Sequence, residues 1–144
     1  MHNTRDGLNW PRAQALALRE RERYIARNPE SSRMAAHAAR HLLFGVPMHW
    51  MNDWSTPFAL TVAEASGARF RDVDGHEYID FCLGDTGAMF GHAPPAVAQA
   101  IARQATRGYT AMLPSEDAAP VAAELARRFG LPYWQFALSA SDAN

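Results

Sequence analysis

Ser139-Ala140-Ser141-Asp142-Ala143-Asn144 follows the apolar run Tyr133-Trp134-Gln135-Phe136-Ala137-Leu138. Small residues directly after a buried strand leave backbone N–H groups free to point at an anion. A hydroxyl at Ser139 or Ser141 adds a donor, and the positive end of a following helix completes a phosphate site. The commoner use of such residues is a helix N-cap, with Ser139 or Ser141 capping and Asp142 in the first turn. Gly84-Asp85-Thr86-Gly87, with Gly91-His92 beyond it, offers a loop where backbone approaches a ligand closely. Plain connection chemistry explains the same glycines more simply, and their spacing matches neither the dinucleotide-binding nor the P-loop fingerprint.

Other groupings carry less. His37 and His41 stand four apart on a predicted helix, a spacing that can hold a metal. No Glu-containing histidine motif accompanies them, so a solvated pair and no metal are expected. Asp72-Val73-Asp74-Gly75-His76-Glu77 has the start of a calcium-loop pattern without its remaining ligands, and reads as a hairpin turn. Cys82 reads as a small buried thiol just past a strand. All 14 basic residues are arginine. The chain therefore offers no ε-amine for a Schiff base, for proton transfer or for a phosphate.

These residues sit in a chain of 144 with a formal net charge of −1. That balance argues against binding nucleic acid by phosphate neutralisation and against a polybasic membrane surface. One cysteine excludes an intramolecular disulfide and suits a reducing compartment. No stretch approaches the ~20 apolar residues of a membrane span. The start Met1–Gly7 has no apolar core behind a basic segment, so no secretory leader and a cytoplasmic location are expected. The length permits one domain with a real core, burying roughly 70% of the unfolded surface.

The pattern predicts helices over 10–28 and 30–44, with Pro11, Ser31 or Ser32 as start signals and Gly45 as a stop. Together they read as an arm that must dock on something. Trp50 and Trp54, in the loop 46–57, are expected to be mostly buried. Period-two alternation predicts strands over 58–63, 69–73 and 76–81, the last two joined by an Asp74-Gly75 turn, in an antiparallel meander. Helices are expected over 94–107, stopped by Gly108, and from Ser115 to Gly130. Pro120 would delay the regular part of the second by a residue or two. Tyr109–Pro114 reads as a loop and Tyr133–Leu138 as a buried strand.

Three blocks between Phe58 and Asn144 resemble the class III aminotransferases, which are fold type I pyridoxal-phosphate enzymes. Within them the chain is most similar to the glutamate-1-semialdehyde aminomutase-like branch. Phe70–Phe81 matches the family's "DVDGNEYIDF" hairpin, Gly91–Val97 its "GHAHPAV", and Ser139–Ala143 stands at the place of its "SGTEA". The stretch Phe58–Asn144 that carries them is about 60% of the chain, and the first 45 residues carry little of the likeness. The resemblance implies that Ser139, Ala140 and Ser141 hold the phosphate of pyridoxal 5'-phosphate. Ala140 replaces a glycine, which restricts the backbone, and Ser141 replaces a threonine but keeps its hydroxyl. By the same carry-over Gly84, Thr86, Thr110 and Ser115 lie on the substrate side, where the match is weaker.

The implied fold class is α/β: an N-terminal helical arm and loop (1–57), a β-meander with a glycine-rich loop (58–92), and the incomplete start of a large cofactor domain (93–144). The implied parent activity is amino-group transfer or 1,2-amino migration on a small amino acid or keto substrate. Its partners are small amino donors and acceptors, and the complete parent is expected to be a homodimer. The family's Schiff-base lysine has no counterpart among these residues, so the chain looks like the first third of a transaminase, inactive alone. A different class of reading is a non-enzymatic interaction module, or a split-enzyme subunit, docking on a lysine-bearing partner chain. On either reading the strand 133–138 lacks neighbours and would leave its edges unpaired. A carboxylate at Asn144 would put negative charge beside the phosphate site.

Overall fold

The computed structural model describes residues 7–108 and 111–144. They fall into two compact units, divided between Pro95 and Ala96. Among the described residues no helix is long and apolar enough to cross a membrane.

The first unit opens with α1, Trp10–Arg27. Asn9 caps it, accepting the Arg12 N–H at 3.1 Å, and Pro11 sits in the first turn, where a missing N–H costs nothing. The next helix, α2, spans Pro29–Ala38, shorter than its apolar pattern suggests. Asn28 and Pro29 start it, so neither Ser31 nor Ser32 is its cap. Ser31 is instead fully buried, and its Oγ accepts the Thr61 N–H at 3.3 Å. Gly45 is not the helix stop either. Phe44 at φ 57 and Gly45 at φ 70 belong to a separate tight turn whose left-handed backbone a right-handed helix cannot include. Trp50 and Trp54 are 44% and 61% exposed, because the loop that carries them has no covering layer among the described residues.

The meander is present as β1 (Val62–Ser66), β2 (Arg69–Asp72) and β3 (Glu77–Ile79), antiparallel in that order. Its first strand begins later than the alternation from Phe58 indicates. The Phe58 carbonyl accepts the Tyr24 hydroxyl at 2.8 Å, and the two rings lie 5.1 Å apart, so Phe58 serves the arm, while Thr61 joins both sides, its N–H on Ser31 and its carbonyl accepting the Val73 N–H at 2.9 Å. Gly67 (φ 55) and Ala68 link β1 to β2. Between β2 and β3 the connection is three residues, not two. Gly75 N–H closes a turn on the Asp72 carbonyl, Asp72 N–H pairs with the His76 carbonyl, and only Gly75 takes a positive φ, 85°. That is a turn followed by a left-handed bulge residue, so Asp74 keeps an ordinary backbone. Across the hairpin Phe70 and Tyr78 stack with centroids 4.9 Å apart.

The second unit holds α3 (Pro95–Ala105) from its second residue on, α4 (Ala118–Phe129) and a single turn, α5 (Ala140–Ala143). Gly108, at φ 80, follows α3 and Gly130, at φ 71, closes α4. Because α4 starts at Ala118, Pro120 falls in its first turn and breaks no hydrogen bond. Ser115 is not its cap, since only the Ser115 backbone carbonyl is engaged, by Ala118 N–H at 3.2 Å. Residues 133–138 form no strand: a ladder needs a neighbouring backbone, and none pairs with them among the described residues.

No apolar residue is buried among the described residues, so the core that the length permits is not formed. What order the first unit has comes from polar ties instead.

Candidate functional site

The strongest of those ties is in the β2–β3 hairpin. Asp72 is 1% exposed, and its carboxylate accepts the His76 N–H at 2.8 Å and the Tyr78 hydroxyl at 2.9 Å, with His76 Nδ1 at 3.2 Å. Burial opposes its charge, but these donors outweigh burial and hold it below the usual carboxylate range. Burial, together with the bond to Asp72, pushes Tyr78 up to about 12. Asp74 reaches the start of α2, where Glu30 and Ser31 N–H donate to its two oxygens at 2.7 and 3.0 Å. A carboxylate at a helix N-terminus satisfies orphan donors and complements the dipole. The arm thus docks on the chain's own meander. All three acidic residues of the calcium-like pattern are spent on protein donors, Glu77 accepting from Arg69 at 2.6 Å.

A second tie closes the glycine-rich loop. Asp80 Oδ2 lies 2.6 Å from His92 Nε2, while Oδ1 accepts the N–H groups of Cys82 and Leu83 at 2.8 and 3.0 Å. The His92 contact comes first among the causes that hold Asp80 below its ordinary value. His92 and Gly67 exchange both backbone hydrogen bonds, and a side chain at Gly91 would meet the Gly67 backbone at 3.2 Å. Between these ends Leu83, Gly84, Asp85 and Thr86 have φ values of 55, 56, 52 and 76°. Left-handed backbone costs an L-residue roughly 1–2 kcal/mol, and three of the four carry a Cβ. Cys82 is exposed, not buried, because it sits at the mouth of this open loop. The Asp80–His92 pairing is missed by reading blocks singly. Its available signal is an aspartate two residues before an unpaired turn and a histidine directly after a glycine.

In the second unit the residues 139–144 are all exposed. Ser139 caps α5: its Oγ accepts the Asp142 N–H at 3.1 Å, which leaves its own O–H proton free to donate. Ala140 and Ser141 open the helix, where backbone N–H groups have no intrahelical acceptor. Ala140 is not among the positive-φ residues, so this turn does not require the glycine that Ala140 replaces. Two hydroxyls and two backbone N–H groups are a donor set that fits a phosphate. Asp142 is the opposing group, its Oδ2 turned to Leu138 N–H at 3.4 Å. Nothing in the chain fits an aldehyde that needs a lysine, because there is none.

Gly84 and Thr86 lie in the first unit, and Ser115 and the 139–141 turn lie in the second. Within the second unit no hydrogen bond joins Ser115 to that turn. Thr110 lies outside the described residues, as does Tyr109. Two clefts of about 520 and about 900 Å³ open on the first unit, and neither is lined by a candidate residue. The His37 and His41 rings meet edge to face at 5.9 Å, and among the described residues no cluster of three metal-ligating side chains occurs.

The family described as Aminotransferase class-III matches residues 50–144. A glutamate-1-semialdehyde 2,1-aminomutase of Thermoplasma acidophilum is 44% identical over 70 residues, which cover 49% of this chain and 16% of that protein. The crystal structure of a glutamate-1-semialdehyde aminomutase from Pseudomonas aeruginosa PAO1 is similar over 95% of this chain and 30% of its own, with 56% identity and a TM-score of 0.87. A variant of that protein with one lysine replaced by alanine is solved in complex with PMP. A beta-phenylalanine aminotransferase from Variovorax paradoxus follows with 27% identity and a TM-score of 0.71, over 81% of this chain and 27% of its own. The likeness to the Pseudomonas structure extends well into the helical arm, beyond the three sequence blocks. This chain spans less than a third of that structure. It belongs to the class III aminotransferase family.

Proposed function

We propose that this chain is the N-terminal, phosphate-side part of a pyridoxal-phosphate-dependent aminotransferase or aminomutase. The complete enzyme acts on a small amino acid or keto substrate, and this chain turns over nothing by itself. The observation that carries the reading is the 139–144 turn: a capping serine with a spare proton, a second serine and two first-turn N–H groups, at the position of the family's phosphate motif. Ser139 and Ser141 would donate through their hydroxyls, and Ala140 and Ser141 through their backbone. When bound, pyridoxal phosphate supplies an aldehyde and an electron-withdrawing ring for amino-group transfer. The lysine for that chemistry belongs to polypeptide other than this chain. A lysine-bearing partner surface also fits the excess of exposed apolar residues, among them Phe81, Phe90 and Leu138. Gly84, Thr86, Thr110 and Ser115 are proposed on the substrate side. The cytoplasmic location and the homodimeric parent belong to the same proposal.

The test is a titration of the chain with pyridoxal phosphate and, separately, with pyridoxal, which lacks the phosphate. The phosphorylated form should bind at least about tenfold more tightly, and Ser139→Ala or Ser141→Ala should remove about tenfold each, as expected for a charge-assisted hydrogen bond. Equal binding of the two compounds would overturn the assignment.

A further inference from the structure

The loop 81–91 is strained in its middle and tied at its ends, and one carboxylate touches both ends. Asp80 Oδ1 holds the N–H groups of Cys82 and Leu83 where the loop leaves β3, and Oδ2 holds His92 where it returns. The side chains of the pair are 10% and 23% exposed, so the contact is shielded from solvent. Between the ends four consecutive residues are left-handed. Leu83 and Thr86 are poor occupants of that region, the β-branched threonine most of all. Within the loop, Ala88 N–H on the Leu83 carbonyl (2.8 Å), Asp85 N–H on the Cys82 carbonyl (3.1 Å), Gly87 N–H on the Gly84 carbonyl (3.2 Å), Met89 N–H on the Thr86 carbonyl (3.3 Å) and Gly91 N–H on the Ala88 carbonyl (2.8 Å) are short-range turn bonds, and none of them ties one end of the loop to the other. Such a conformation persists only where its surroundings over-determine it.

We propose that the Asp80–His92 pair is a clasp that holds the loop 81–91 in a strained left-handed form, from which it relaxes when the clasp is broken. The loop is then a two-state element mounted on a rigid hairpin. Asp80 and His92 are positioning residues for Gly84 and Thr86 if those face substrate. That consequence rests on the cofactor reading, whereas the clasp itself does not.

Hydrogen exchange on the full chain, with no cofactor present, separates the two. His92→Ala should speed exchange at the Leu83 and Ala88 amides by at least about tenfold, while the Arg71 and Tyr78 amides stay protected. His92→Gln, which restores a donor near the position of Nε2, should recover most of that protection. A nitroxide on Cys82, the single cysteine, should gain mobility in His92→Ala and in Asp80→Ala. Thr86→Gly should slow exchange at Ala88 several-fold, because glycine relieves the left-handed residue. Unchanged exchange at Ala88 in His92→Ala would overturn the clasp. Equal loosening of loop and hairpin would do the same, as would faster exchange in Thr86→Gly.

Discussion

In the β2–β3 hairpin a carboxylate that is 1% exposed meets three donor groups, and a second carboxylate two residues on caps a helix from another part of the chain. In the 139–144 turn one serine oxygen accepts one N–H, and every residue faces solvent. The first region has used its polar groups on itself and can offer nothing to a ligand. The second has kept two hydroxyls and two N–H groups in reserve. Polar residues that look alike as sequence thus divide into scaffold and site by whether the fold has already satisfied them.

That contrast can be broken by substitution. Asp72→Ala strands the Tyr78 hydroxyl and the His76 N–H, and should destabilise the first unit by roughly 3 kcal/mol in chemical denaturation. Alkaline titration probes the same network. A phenol raised to about 12 favours its protonated form in the fold, so its stabilisation is complete below about pH 10 and is lost as pH rises through about 12. Tyrosinate absorbance should show a late phase near pH 12 that Tyr78→Phe removes. Asp74→Ala should destabilise the first unit less than Asp72→Ala does and expose the Glu30 and Ser31 amides to exchange, leaving the β2–β3 ladder intact. Ser139→Ala should change the chain's stability least, by about 0.5 kcal/mol or less, because its cap serves one solvent-exposed turn. Its effect belongs to phosphate binding.

The meander was legible because alternation, Asp74-Gly75 and the aromatic pair at Phe70 and Tyr78 all act locally. Its first strand was misplaced by four residues because Phe58 and Leu60 have strand character but Tyr24 claims the Phe58 carbonyl, a partner 34 residues away. Pro120 was readable as a first-turn residue from its own chemistry. Tyr133–Leu138 was not readable as a non-strand, since apolar β-formers state a propensity and not a partner. Among the candidate residues, a serine cap at 139 or 141 follows from type and spacing, and the Asp142 N–H on Ser139 Oγ decides between the two. The Asp80–His92 clasp needs two blocks to be read together in space, and the exposure of Cys82 depends on a loop geometry that no local pattern encodes.

Borohydride reduction of the chain with pyridoxal phosphate, followed by mapping of the pyridoxyl label by mass spectrometry, bears most directly on a cradle without an amine. Reversible binding should be seen before reduction, with no label on this chain after it beyond the N-terminal α-amine. On adding a lysine-bearing remainder of a related aminomutase, the label should fall on that partner. A stable label on any other residue of this chain, or a labelled partner whose yield is unaffected by Ser139→Ala and Ser141→Ala together, would contradict it.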